Sequence, residues 1–281
     1  MQGARTLLSI LGQPWLINQS YVENNLPLIL NMLEGKLQLP SEDPDPIDST
    51  LTLNSRQEAA YVNLHRNSHH FYENLEKPVV GVIDIDHPIT RHDNCGDYGS
   101  MTLSNMVREA DASEKIIGIV LSIDSPGGMV SGTQELAEAV RNTSTPIVAL
   151  VRDGYAASAA YWIASQADQV FVTNQTSQVG SIGAYLTFMD VRGYFEKEGI
   201  KIHEIYSRLS TEKNLAFRLA RDEEDYAQLQ DELDEIVSAF TSQVRAARKI
   251  PESVKEPFKG AMYSAAVARP SFVGYYVLLL V

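Results

Sequence analysis

From Pro78 onward, apolar runs rich in β-branched residues alternate with stretches whose apolar positions recur every three or four residues. VVGVIDI (79–85), IIGIVLSI (116–123), PIVALV (146–151), QVFVT (169–173) and IKIHEIY (200–206) read as strands. IIGIVLSI is continuous enough to be buried on both faces. Between the runs, MTLSNMVREAD (101–111), MVSGTQELAEAVRN (129–142), AASAAYWIASQA (156–167) and TFMDVRGYFEKEG (187–199) read as helices. Strand alternating with helix predicts an α/β fold with a mostly parallel sheet and right-handed crossovers. The longest helical pattern runs from Asp222 to Ile250. Tyr226, Leu229, Leu233, Ile236, Val237, Phe240 and Val244 make its apolar stripe. Its acids cluster early and Arg245, Arg248 and Lys249 cluster late, which suits the helix macrodipole. So long a helix could also serve a subunit interface.

Upstream of Pro78 the pattern differs. Residues 1–36 read as helical pieces split by Pro14 and Pro27, and residues 37–58 carry three prolines and several acids, the composition of a linker. HRNSHH (65–70) brings three histidines together, but neither their spacing nor their neighbours support a metal site.

Composition narrows the function classes. Of 281 residues, 44% are hydrophobic and 21% charged, an ordinary globular balance. The net charge of -13 argues against a nucleic-acid partner, which usually meets a basic footprint. The single cysteine, Cys95, allows no intrachain disulfide and fits a reducing compartment, so a cytoplasmic location is expected. The N-terminus reads as amphipathic rather than as a signal peptide. No stretch reaches the roughly 18 apolar residues of a membrane span, and the apolar SFVGYYVLLLV at the C-terminus is too short.

Candidate chemistry falls in loops at the ends of the strands. DSPGG (124–128) sits between a buried strand and a helix. Gly127 and Gly128 there can expose backbone N–H groups to a developing oxyanion. Ser158 stands at the start of the next helix among Gly154, Ala156, Ala157, Ala159 and Ala160. Small residues commonly mean close packing, and they also leave room around a nucleophile. SQVGSIGA (177–184) is a third polar loop. A serine nucleophile needs a base. His203 lies inside an apparent strand with no acid placed to orient it. Lys213, in STEKN (210–214) just past that strand, is the other option, provided burial keeps an amine neutral near pH 7.

The ordered set SIDSPGGMVSGTQELAEAV, GYAASAAYWIASQADQVFVTNQTSQVGSIGAY and FEKEGIKIHEIYSRLSTEKN resembles the signal peptide peptidase A family of serine peptidases, most closely its bacteriophage and prophage branch with the lambda-type prohead proteases. The resemblance covers roughly Pro78 to Ala268. It implies a Clp-protease/crotonase-like spiral of ββα units, here with an N-terminal helical extension. The implied domains are 1–77 as extension and linker, 78–268 as the peptidase domain, and 269–281 as an atypical end. The resemblance also implies a Ser–Lys dyad: Ser158 as nucleophile, Lys213 as general base, and Ser181 of GSIG holding the lysine. Gly127, Gly128 and Ala159 would serve the oxyanion and substrate. It implies no cofactor and no metal. The partners it implies are a polypeptide substrate (scaffold, capsid protein or the chain itself) and a homo-oligomer. Competing readings are a housekeeping signal-peptide peptidase, a non-catalytic capsid assembly protein, and a crotonase-like acyl-CoA enzyme. After MYSAAVA (262–268), family members usually continue into a Gly-Leu-Ile/Val-Asp segment; this chain runs ARPSFVGYYVLLLV instead. A truncation or shifted reading frame near Arg269 is therefore expected.

Overall fold

The β-branched runs form the centre of the molecule, as seen in a computed structural model that describes residues 61–66, 68, 72–94 and 96–268, together with the backbone of 15–17, 52–53, 60 and 276–277. In chain order the strands are β1 (Trp15–Ile17), β2 (Thr52–Leu53), β3 (Ala60–Asn63), β4 (Val79–Ile85), β5 (Ile116–Ser125), β6 (Gly127–Met129), β7 (Ile147–Ala157), β8 (Gln169–Val172), β9 (Gln178–Gly180), β10 (Met262–Ser264) and β11 (Tyr276–Val277). The helices are α1 (Ser100–Asp111), α2 (Thr133–Arg141), α3 (Ala159–Ala164), α4 (Arg192–Lys197), α5 (Leu215–Asp222) and α6 (Ala227–Arg248).

The main sheet runs β10-β9-β7-β5-β4-β3-β2, with β8 also paired to β7 and β11 to β8. Its centre, β3, β4, β5 and β7 with β8 and β9, is parallel. Helices therefore cover it, which accounts for the continuous apolar run of β5: Ile119, Leu121 and Ile123 are all buried. Trp162 of α3 stacks on Phe240 of α6 at 4.6 Å and donates its indole N–H to Gln243 at 2.9 Å. That contact anchors α3 from behind.

Four expectations change. The sheet begins upstream of Pro78, because β3 adds to β4 in parallel register. Trp15–Ile17, within the stretch read as helical, is extended because it pairs with β6; the remainder of 1–36 lies outside the described residues. Residues 200–206 form no strand: alternation supplies the right faces, but without a neighbouring strand there is no ladder to form. The helix expected over 187–199 contracts to α4. Of the atypical end, only the backbone of β11 is described, so the reading-frame expectation lies outside the described residues.

The longest strand, β7, changes partner along its length. Val148–Val151 pair with β8, and Tyr155–Ala157 pair with β9. Against β5 its register jumps: Ile123 faces Val151, but Ser125 faces Ala156. β5 advances two residues where β7 advances five, so β7 carries a bulge at Arg152–Tyr155. A bulge bends its strand and re-aims the residues beyond it. Beyond this one the strand ends at Ala157, and Ser158 is the next residue.

Candidate active site

The bulge is filled by Asp124. Its Oδ1 accepts the Tyr155 N–H at 3.1 Å. A Cβ on Gly154 would fall 1.8 Å from the same oxygen, so a larger residue there must push the Asp124 carboxylate aside. The acid of DSPGG and the glycine of DGYAAS are thus one contact, and it ties the two loops together. Ser125 adds a second tie: its hydroxyl donates to the His87 carbonyl at 2.6 Å and accepts the Gly127 N–H at 3.3 Å.

Ser158 is the turn between β7 and α3. Its φ of 54° and ψ of -116° are strained for a residue with a Cβ. Buried Ala156, Ala157, Ala159 and Ala160 on either side let the strand reverse into a helix this tightly. Sharp strand-to-helix turns of this kind hold a side-chain hydroxyl at the end of a sheet. The residue is only 1% exposed. Its N–H donates to the Gly180 carbonyl at 2.8 Å, and its Oγ lies 3.4 Å from the Gly183 carbonyl, a long contact.

The GSIG loop is therefore the neighbour of the serine. The last register pair of β7 and β9 is Ala157 with Gly180, and one residue beyond it on each strand stand Ser158 and Ser181. Both have a φ of 54°. Ser181 is half-buried, and its N–H donates to the Ala261 carbonyl at 2.8 Å, just before β10. A Cβ on Gly180 would come within 2.7 Å of that carbonyl, which fixes the glycine.

Gly127 and Gly128 lie in β6, and α3 packs against that strand. β6 has Ile89 along one edge: the Ile89 N–H donates to the Gly127 carbonyl and the Met129 N–H to the Ile89 carbonyl, both at 2.8 Å. A Cβ on Gly128 would lie 1.9 Å from the Ile89 carbonyl oxygen. Ala159 opens α3, where helix geometry leaves its N–H without an intrahelical acceptor.

Lys213 is elsewhere. It occupies an exposed turn before α5, and among the described residues no hydrogen bond joins it to Ser158. The segment leading to it is held at two places. Arg192 bridges Asp190 at 2.6 Å and Asp222 at 2.7 Å, and Arg221 meets Glu204 at 2.8 Å. Hydrogen bonds from Arg192 pull the Asp190 carboxyl down to about 2, and those from Arg221 and then Arg192 do the same for Asp222. Between these anchors Ile200, Ile202, Ile205 and Leu209 face outward, the last two 94% exposed. Among the described residues no three metal-ligating side chains cluster, and His69 and His70 lie outside those residues.

The structure thus joins Ser158, Gly180, Ser181 and Gly183, sets β6 beside α3, and leaves Lys213 apart. Asp124, Ser125 and Ile89 were not singled out from sequence. Asp124 and Ser125 were visible beside the glycines, whereas Ile89 gave no signal, because its role is played by its backbone.

A parallel α/β sheet that ends in a strained serine, beside a glycine strand, defines the Clp-protease-like class. Residues 92–179 match the Clp protease model, and residues 139–271 match the model for Peptidase family S49. Over those residues the chain is similar to peptidase family S49. It is 36% identical over 103 residues to the head-tail preconnector protein GP5 of Enterobacteria phage P21, covering 36% of this chain and 20% of that one. It is 30% identical over 178 residues to the capsid assembly protease C of Escherichia phage lambda, covering 61% and 40%. Protease 4 of Salmonella typhi is 27% identical over 179 residues, covering 62% and 28%. The chain therefore spans less than half the length of each of these relatives. Among the described residues no helix is long and apolar enough to cross a membrane.

Proposed function

We propose that the chain is a serine endopeptidase that uses Ser158 as nucleophile and Lys213 as general base. The observation that carries this reading is the buried, strained Ser158 at the head of α3, seated against the GSIG loop. The neutral amine takes the Ser158 proton as Oγ attacks the peptide carbonyl. The Gly128 N–H, with that of Ala159, receives the oxyanion, while the Gly127 N–H is turned to the Ser125 hydroxyl and holds the loop in place. The ammonium then protonates the leaving amine, and water releases the acyl-enzyme. Ser181, which follows Gly180 as Ser158 follows Ala157, positions the lysine.

The base must arrive from an exposed turn. An amine stays neutral near pH 7 only where it is shielded from water. The outward apolar residues from Ile200 to Leu209 favour a second copy of the chain as the cover, which makes the working enzyme a homo-oligomer. Tyr226, just before α6, is a further exposed large apolar side chain. Sedimentation of the full chain is expected to give an oligomer that Ile205→Asp with Leu209→Asp breaks into monomers. A wild-type monomer at micromolar concentration overturns the interface.

Two of the relatives carry capsid assembly or preconnector names. By that likeness the substrates are scaffold or capsid proteins, or the chain itself, inside a cytoplasmic prohead. Co-expression with the neighbouring capsid genes, read by product mass, tests this. Cleavage that appears with wild type and not with Ser158→Ala supports it. Intact capsid proteins, together with no labelling by a fluorophosphonate probe, leave the non-catalytic assembly reading. Lys213→Ala is expected to lose cleavage from about pH 6 to 9 while keeping its fold, since the base must be present at every pH where the wild type works. Activity retained across that range removes Lys213 from the role.

A further inference from the structure

The glycine strand has two edges, and the structure covers both. On one, Ile89 takes the Gly127 carbonyl and the Met129 N–H. Along a strand the backbone groups of successive residues point to opposite sides. The Gly128 N–H and carbonyl therefore face the other edge. There β1 lies antiparallel, with Trp15 opposite Met129, Leu16 opposite Gly128 and Ile17 opposite Gly127. The two strands form a small sheet of their own, apart from the main one. Among the described residues β1 thus pairs with one strand, the strand proposed to hold the oxyanion.

The geometry points to β1 as a resident pseudosubstrate: a segment of the chain occupies the edge on which an extended polypeptide would add as a strand, and holds the site closed. This rests on the peptidase reading above. Strand addition is a common way to bind extended peptides, because the ladder is read through the backbone and tolerates varied sequences. Leu16 meets Gly128 in this way, so an incoming chain must first displace β1. The edge is also where a bare strand would invite unwanted pairing, and β1 covers it.

A resident segment lowers apparent affinity by the fraction of time the edge is open. If β1 is seated nine-tenths of the time, removing it lowers KM about ten-fold and leaves kcat unchanged. Leu16→Pro deletes the N–H that faces Gly128 and is expected to do this toward dye-labelled casein. The opposite variant tethers the strand. Trp15 and Met129 face each other as a non-hydrogen-bonded pair, whose Cα atoms stand about 4.5 Å apart, within disulfide reach. Trp15→Cys with Met129→Cys, in a Cys95→Ser background, is expected to lose cleavage and fluorophosphonate labelling at least ten-fold when oxidised and to regain both with reductant. Equal activity of the oxidised and reduced tether, or an unchanged KM in Leu16→Pro, overturns the proposal.

Hydrogen exchange separates this from failure of the peptidase reading. In full-length Ser158→Ala the Gly128 amide is expected to be protected, and in Ser158→Ala with Leu16→Pro to exchange faster. If no form cleaves or labels, the peptidase reading fails while the exchange difference still supports the seated strand. Equal exchange in the two chains overturns it whatever the activity.

Discussion

Ser158→Ala is expected to abolish cleavage while leaving the fold in place. Loss of a serine nucleophile costs roughly 10^4- to 10^6-fold in turnover. The structural cost is small for three reasons. Alanine carries the same Cβ, so the strain at φ 54° is unchanged. The N–H bond to Gly180 belongs to the backbone and stays. The hydroxyl itself makes only the long 3.4 Å contact to Gly183. A melting temperature within a few degrees of wild type is expected, corresponding to less than about 1 kcal/mol. Ser158→Gly makes the complementary point. It removes the strained Cβ, so it should melt at or above wild type while being equally inactive. Product masses and thermal melts read both. Full cleavage by Ser158→Ala ends the assignment.

Gly128→Ala is the second large effect, and here activity and stability fall together. The added methyl would meet backbone, with the Ile89 oxygen at 1.9 Å and the Ile89 carbon and nitrogen at 2.6 Å. Backbone cannot rotate aside as a side chain can, so β6 must separate from Ile89. That breaks the two 2.8 Å bonds between them and moves the Gly128 amide from its place. Overpacking of this kind costs about 1–3 kcal/mol and occasionally more. The proposed oxyanion donor is displaced as well, which costs about 10^2- to 10^3-fold in kcat. Gly118→Ala is the control, because its nearest backbone neighbour is the Pro146 oxygen at 3.7 Å, an ordinary contact. Chemical denaturation and cleavage rates of the two variants check the contrast. A Gly128→Ala chain that folds and cleaves like Gly118→Ala would show that the close approach at Ile89 is wrong.

The site was legible in sequence to unequal depth. Ser158 stood out because small residues crowd it, and that crowding has two causes that hold together: the alanines pack tightly, and tight packing is what lets the strained turn form. Gly154 was grouped with those alanines, yet its cause is different. It faces the Asp124 carboxylate across a bulge that no local pattern announces. The lysine shows the limit from the other side. IKIHEIY alternates as a strand does, a pattern that predicts Lys213 at the carboxyl end of a strand. Alternation states which faces are apolar, not whether a neighbour exists to accept the ladder.

Sequence by itself determined the α/β class, the central strands, the long amphipathic helix and the order of the DSPGG, AAS and GSIG motifs. These depend on periodicity and on residue type over a few positions, which the chain carries locally. Tertiary structure alone decided the register jump between β5 and β7, the pairing of Gly180 with Ser158, the closure of β6 between Ile89 and β1, and the outward face of residues 200–209. Each is a choice of partner between segments far apart in the chain. The free energy of that choice comes from backbone groups that every residue shares, so the side-chain pattern carries almost no record of it.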